Sequence, residues 1–375
     1  MKKIILFLHS GGNQIRGTEF TLLSLINKLD NTLYSPIVIC DNQVLLSELK
    51  LNNIECHLHE FPEFMLDGDD RSFPFVKYVK AWFWLLKLCR KQKVSLLYSN
   101  GGRPCQLGVP LKIILKIPLI CQFHHPAPKR YYYFWLVKYA DKVIFPSKFT
   151  ASHSKQKVNL EGDVIYNGID NVGTYIKAEK RDSQYRDKLN ILPDDVVFTQ
   201  VGFIGEYKGV GLVLDAFEEV YKINPKVKML FIGEGPVKEK YTKIAKERNL
   251  SSVVRFLGYV DSVVEYFQHV TDVNILASNE EGLGLVLLQA SACGLPNIGT
   301  DGTGIKEAVI HNKTGFLFEE NNKKQLIDYM LRFASSSELR KEMAVNGVKM
   351  VDENFSERLY VRKIQSEISK QLSNI

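Results

Sequence analysis

The sequence predicts an α/β protein built from two doubly wound, Rossmann-like domains in tandem. Short apolar runs of strand length alternate with amphipathic stretches of helix length from end to end, the pattern of parallel sheets covered by helices. At 375 residues the chain exceeds what one hydrophobic core ordinarily serves, and it suits two domains of roughly 170 to 200 residues each. Hydrophobic residues make up 45% and charged residues 24%, the balance of a globular protein rather than a disordered or membrane-spanning one.

Taken in order, the apolar runs place strands near 3–8, 35–40, 54–58, 95–99, 118–123, 142–145 and 163–166 in the first half. In the second half they fall near 196–202, 228–232, 253–257, 273–277, 296–299 and 315–318. Met1-Lys2-Lys3 and the apolar run behind it imitate a secretion signal, but the run stops at His9-Ser10-Gly11-Gly12, so a first buried strand is expected. Residues 169–193 are rich in charge and lack periodicity, which makes them the expected hinge. Helical patterns at about 322–335, 336–350 and 356–371 follow the last strand. An N-terminal domain over 1–175, a C-terminal domain over 176–355 and a terminal helix over 356–375, with the option of crossing back to the first domain, are therefore expected. In such sheets ligands bind beyond the carboxyl ends of the strands, here in a crevice between the domains.

Composition narrows the setting. Cys40, Cys56, Cys89, Cys105, Cys121 and Cys293 are scattered, with no C-x-x-C pair and no metal-ligand spacing, which points to a reducing, cytoplasmic compartment. No stretch reaches the roughly 18 uncharged apolar residues of a spanning helix, so membrane contact is expected only at the surface of the cytoplasmic face. The formal charge of +7 is uneven, with 22 Lys and Arg against 14 Asp and Glu over residues 1–170. Residues 71–150 carry 15 bases and a single acid, Asp141, together with all three tryptophans, Trp82, Trp84 and Trp135.

The chemistry concentrates in Glu281-Gly282-Leu283-Gly284-Leu285-Val286-Leu287-Leu288-Gln289, which follows the apolar run Val273-Asn274-Ile275-Leu276-Ala277. Glycines at a strand-to-helix turn let backbone N–H groups approach a ligand closely, and the helix N-terminus suits a phosphate. Glu281 and Gln289 lie eight positions apart, about two turns and nearly one face, a spacing that could grip two parts of an elongated ligand.

This stretch resembles the Glu-x7-Glu region of family 4 glycosyltransferases, and the resemblance runs through nearly the whole chain. Val201-Gly202-Phe203-Ile204-Gly205-Glu206-Tyr207-Lys208-Gly209 is similar to the family's G-R-L-x-x-x-K-G segment, and Phe231-Ile232-Gly233-Glu234-Gly235-Pro236 to its I-G-x-G-P strand end. Ile165-Tyr166-Asn167-Gly168-Ile169-Asp170 resembles I-P-N-G-I-D, and Asp301-Gly302-Thr303-Gly304-Ile305-Lys306-Glu307 resembles D-x-G-G-I-P-E. The resemblance implies the GT-B architecture, two Rossmann-like domains facing across a cleft, and a retaining transfer from a nucleotide sugar that needs no metal or other cofactor. No Asp-x-Asp metal motif stands at a suitable strand end.

By the same resemblance Lys208 neutralises the donor diphosphate, Glu281 accepts hydrogen bonds from the donor sugar, and the backbone of Gly282, Leu283 and Gly284 caps the phosphate. Gln289 reaches the ribose, while Gly202 and Glu307 line the donor. Leaving a nucleoside diphosphate requires positive potential at the β-phosphate, which is the reason a lysine belongs there. Two positions depart from the pattern: Gln289 replaces the second acid, and Phe203 replaces the arginine that follows the first glycine of the phosphate segment. Arg16 is the candidate replacement, because Gly17-Thr18-Glu19 resembles the family's G-G-x-E at the first helix start. Pro118-Leu119-Ile120-Cys121-Gln122-Phe123-His124-His125 resembles P-V-x-x-T-x-H-D and aligns His124 with the active-site histidine, suited to bond a sugar hydroxyl or help the acceptor lose a proton.

Lys77 to Lys91 and Lys129-Arg130-Tyr131-Tyr132-Tyr133-Phe134-Trp135 interleave bases with large aromatics, a composition suited to an anionic membrane surface. Packing of those aromatics in the core is the plainer reading, and no nucleic-acid module is evident, so nucleic acid is not an expected partner. The expected partners are a nucleotide sugar, a surface-glycan or lipid-linked glycan acceptor, as in capsule or lipopolysaccharide, and the membrane. The rivals are an inert nucleotide-sugar-binding partner in an assembly complex, an epimerase or hydrolase on the same frame, and a scaffold using the basic window.

Overall fold

The computed structural model describes residues 2–62, 64, 74–126, 136–179 and 181–374. The chain divides into two compact units, one of residues 1–168 and 357–375 and one of residues 169–356.

The first unit holds a seven-stranded, all-parallel sheet of β1 (Lys3–His9), β2 (Tyr34–Cys40), β3 (Glu55–Leu58), β4 (Leu96–Asn100), β5 (Leu119–Gln122), β6 (Lys142–Phe145) and β7 (Asp163–Val164). Its order is β3-β2-β1-β4-β5-β6-β7, so the winding reverses between β1 and β4. Ile5, Leu6, Phe7 and Leu8 are all buried, with Leu6 and Leu8 in the cluster on one face and Ile5 and Phe7 in the cluster on the other. Burial on both faces is why such strands read as continuous apolar runs rather than alternations.

The terminal helix Glu357–Ser373 packs in this first unit. Tyr360 donates its hydroxyl to Gln122 Oε1 at 2.9 Å, and Tyr98 donates to the same oxygen at 2.5 Å. A side chain at Gly168 would place its Cβ 2.6 Å from the Glu357 Cα, so the start of that helix sits directly on the end of the first segment.

The second unit holds a six-stranded parallel sheet of β8 (Val196–Val201), β9 (Val227–Ile232), β10 (Val254–Gly258), β11 (Val273–Leu276), β12 (Asn297–Asp301) and β13 (Gly315–Glu319). Its order, β10-β9-β8-β11-β12-β13, reverses between β8 and β11. The helices Val210–Ile223 and Lys323–Ser335 pack over one face, burying Phe217, Met330 and Phe333 against Phe231 and Phe316.

Residues 169–193 depart from the expectation of a structureless hinge. They belong to the second unit and include the helix Ser183–Asp187. Arg186 is buried and donates to Val270 O at 3.0 Å and Asp272 Oδ2 at 2.6 Å, while Arg181 donates to Asp272 Oδ1 at 2.7 Å. Arg186 is buried among mostly exposed charges, so its place in the packing leaves no apolar periodicity to read.

Candidate functional site

In the second unit the loops leaving β8 and β11 diverge at the point where the winding reverses, the position at which doubly wound sheets leave room for a ligand. Gly202 follows β8 with φ of +137°, and no atom lies within 4 Å of where a Cβ would stand, so the backbone there is open to approach. A short 3-10 turn, Glu206–Lys208, then delivers Lys208. Gly209 closes the turn at φ of +67°, where a Cβ would lie 2.3 Å from Ala277 O; only glycine lets this loop pack so tightly on the end of β11. Gln200 fixes the turn from beneath, donating from Nε2 to Lys208 O at 2.7 Å.

From the other side, Glu281-Gly282-Leu283-Gly284 runs into the helix Leu285–Ala292, with Gly284 at φ of +81° as its N-cap. The Lys208 Nζ and Glu281 Oε1 form an ion pair across 73 positions of sequence, each side chain only 16% exposed. The loop 301–307 folds onto the same segment: Gly304 N donates to Glu281 O at 3.2 Å, and Glu307 N donates to Gly304 O at 3.0 Å. The structure thus brings Lys208, Glu281, the buried Gly282, Leu283 and Gly284, and the backbone of Glu307 to one place.

Gln289 takes a partner not foreseen from the sequence, donating from Nε2 to the hydroxyl of Tyr175 at 2.9 Å. Burial raises the pKa of that tyrosine, so it remains a neutral hydroxyl. Phe203 stands 40% exposed and stacks on Tyr207 with ring centroids 6.2 Å apart, and Lys208 Nζ lies 5.2 Å from the Tyr207 ring. An aromatic pair therefore flanks the lysine at the position where the resembled family carries an arginine.

In the first unit the reversal point lies between the ends of β1 and β4, where His9 is paired in register with Asn100. His9 Nε2 lies 2.9 Å from Glu19 Oε1, His9 Nδ1 lies 2.9 Å from Asn100 Nδ2, and Asn100 Oδ1 lies 2.7 Å from His124 Nε2. Glu19 sits in the first turn of the helix Gly17–Lys28, and its other oxygen accepts from Arg16 N at 2.9 Å and the Thr18 hydroxyl at 2.8 Å. Burial raises the carboxyl of Glu19, but its hydrogen bonds to His9 and Thr18 outweigh that and hold it at about 2. Burial, reinforced by His125 and His9, pushes His124 down to about 3, so its imidazole is neutral at ordinary pH. Arg16 and Gly17 are exposed, and the Arg16 guanidinium donates to Gln14 Oε1 at 2.8 and 3.1 Å.

The basic window divides. Trp82 and Trp84 pack against the core of the first unit, whereas Phe75, Val76 and Phe83 on the same helix, Phe75–Gln92, stand exposed among Lys77, Lys80 and Lys87. Lys129 to Trp135 lie outside the described residues. Among the described residues no helix is long and apolar enough to cross a membrane, and no three His, Cys, Asp or Glu side chains are grouped as metal ligands.

Known proteins match both units. Residues 182–350 match the model of "Glycosyl transferases group 1", and residues 15–171 match that of "Glycosyltransferase Family 4". Among curated proteins the chain is 29% identical over 220 residues to N-acetyl-alpha-D-glucosaminyl L-malate synthase of Bacillus anthracis, a match spanning 59% of this chain and only 56% of that protein. It is 24% identical over 336 residues to the O-antigen biosynthesis glycosyltransferase WclY of Escherichia coli, covering 84% of this chain and 90% of that protein. The crystal structure of Anabaena HepE in complex with UDP and glucose superposes with a TM-score of 0.82 at 19% identity, over 97% of this chain and 99% of that one. The likeness identifies the fold as GT-B.

Proposed function

This chain belongs to the group 1, family 4 glycosyltransferases and is a sugar-transferring enzyme, and we propose that it is a retaining, metal-independent one using a nucleotide-sugar donor. The observation that carries the reading is the Lys208–Glu281 pair beside the glycine-capped start of the helix Leu285–Ala292, at the reversal point of the second sheet. In the pair each charge neutralises the other. A donor diphosphate engages Lys208 in Glu281's place, and the carboxylate so released accepts hydrogen bonds from sugar hydroxyls that strengthen as the sugar becomes an oxocarbenium ion. Backbone N–H groups of Gly282, Leu283 and Gly284 then meet the phosphate at the positive end of the helix dipole. No protein nucleophile is assigned; the leaving phosphate takes the acceptor proton.

The donor site extends to Gly202 and Glu307, and Arg16 and Gly17 keep the donor-binding role that the family resemblance implies. Gln289 is assigned to the ribose, for which its amide oxygen remains as acceptor. His124 is assigned to a sugar hydroxyl. The names of relatives such as WclY support an acceptor among surface or lipid-linked glycans. The exposed apolar and basic face of the helix Phe75–Gln92 supports peripheral docking on an anionic, cytoplasmic membrane face.

The test is transfer to lipid-linked glycan acceptors from a panel of UDP-, GDP-, dTDP- and CMP-sugars in EDTA, with the anomeric configuration of the product read by NMR. Transfer with retention from one nucleotide class is expected. Donor binding without any transfer would favour an inert partner, and inversion or dependence on metal would overturn the mechanism. Arg16→Ala in the same assay separates a donor ligand, whose loss raises KM, from a solvated arginine.

A further inference from the structure

We infer that His9, Glu19 and Asn100 form a polarised hydrogen-bond relay that fixes the tautomer of His124, holding its proton on Nε2 and presenting Nδ1 as a standing acceptor for a substrate hydroxyl. The role toward a hydroxyl rests on the transferase reading above; the relay itself rests on the hydrogen-bond geometry and the ionised Glu19.

The direction of the relay follows from which atoms can donate. Glu19, ionised and only 3% exposed, can accept but not donate, so the 2.9 Å contact requires the proton of His9 on Nε2. The atom 2.9 Å from His9 Nδ1 is the amide nitrogen of Asn100, a donor that requires a lone pair on Nδ1. That orientation is held a second time by Asn100 Nδ2 facing the carbonyl of Thr18 at 3.3 Å, which an amide oxygen could not do. The amide oxygen is left facing His124 Nε2 at 2.7 Å, and an oxygen that accepts requires a proton on that nitrogen. The one atom left over is His124 Nδ1, which is buried and has no hydrogen-bond partner among the described residues. A buried acceptor without a partner is costly and points to a group that the bound substrate supplies.

Burial first, then the neighbouring His125 and His9, keep that imidazole unprotonated down to about pH 3, against the opposing pull of Glu19. His124 therefore orients a hydroxyl by accepting from it and does not ferry a proton as an imidazolium. His9, Glu19 and Asn100 are positioning residues, and the polarity of the whole chain is decided at its carboxylate end.

Glu19→Gln tests this with an isosteric change. The two donors at Oε2, Arg16 N and the Thr18 hydroxyl, select the amide oxygen for that position and turn the new NH2 toward His9. His9 Nε2 must then accept, Asn100 must turn over, and the proton of His124 moves to Nδ1. Nitrogen-15 NMR of the full chain labelled at histidine, with the His124 signals identified by their loss in His124→Gln, reads the tautomer directly. In the wild type His124 is expected to carry its proton on Nε2 throughout pH 8 to 5, and in Glu19→Gln on Nδ1. The transfer kcat/KM of the variant is expected to fall by about tenfold or more, because a donor replaces the acceptor.

Asn100→Asp offers an acceptor to both histidines; there His124 is expected to keep Nε2 protonated while His9 becomes doubly protonated, an outcome opposite to that of Glu19→Gln and independent of its folding. A wild type with the proton on Nδ1, or a folded Glu19→Gln whose tautomer is unchanged, would overturn the relay. A protein that shows the expected tautomers yet transfers no sugar would overturn the transferase mechanism and leave the relay standing.

Discussion

Replacing His124 by Gln should remove a defined pH dependence from the stability of the first unit. The folded imidazole takes its proton only at about 3, against an ordinary value of 6.5, because burial penalises the cation and His125 and His9 add repulsion. Between those values the unfolded chain binds a proton that the folded chain refuses, so the contribution is fully present above pH 6.5 and is lost as pH falls toward 3. The slope for one group is about 1.4 kcal/mol per pH unit, or about 2 kcal/mol between pH 6 and pH 4.5. Stopping at 4.5 leaves Glu19 ionised, since its carboxyl is held at about 2. Glutamine keeps a donor for Asn100 Oδ1 and titrates not at all. Urea unfolding at several pH values, followed by tryptophan fluorescence, is the suitable assay because all three tryptophans fall within residues 1–168. Other groups titrate in both proteins, so the quantity read is the difference in slope. Parallel stability curves for wild type and variant would mean that His124 titrates normally in the folded state, and the reasoning about its burial would fail.

Gln289→Glu should tighten nucleotide binding by about tenfold, the gain of a charge-assisted over a neutral hydrogen bond; unchanged affinity by calorimetry would show that Gln289, held by Tyr175, does not reach the donor. Gly209→Ala should destabilise the second unit by about 1–3 kcal/mol through a strained positive φ, compounded by the Cβ that would stand 2.3 Å from Ala277 O, and thermal unfolding with an unaltered Tm would contradict the close packing described. Flotation with anionic vesicles should recover the wild type, with Lys80→Glu combined with Phe83→Glu weakening binding by about fivefold or more, at roughly 1 kcal/mol for the one basic residue lost; equal binding to neutral vesicles would rule out the electrostatic account.

The central strands were legible because parallel strands buried on both faces leave unbroken apolar runs, and Ile5 to Leu8 or Met229 to Ile232 can hardly be read otherwise. What sheet topology assembles was less so. Lys208 and Glu281 meet because β8 and β11 are neighbours at a reversal point, a fact of winding order that no local spacing encodes, and only the family resemblance joined them. His9, Glu19 and Asn100 were missed as partners of His124 for the same reason, although Glu19 stood in a recognised motif and His9 at the end of the first apolar run. The Gln289 contact depends on Tyr175, which lies in the charge-rich stretch that passed for a hinge. Phe203 was seen as a lost arginine, but its stacking on Tyr207 beside Lys208 needed coordinates.

The most direct measurement is calorimetric titration of nucleoside diphosphates and their sugars in EDTA against the wild type, Lys208→Ala and Glu281→Ala. One nucleotide class should bind the wild type without metal; Lys208→Ala should lose about tenfold or more in affinity for the bare diphosphate, the usual cost of removing a charged hydrogen-bond donor. Glu281→Ala should retain the bare diphosphate but lose the added affinity of the sugar. A wild type that binds no nucleotide, or variants that bind it as the wild type does, would contradict the assignment of the donor site to the Lys208–Glu281 pair.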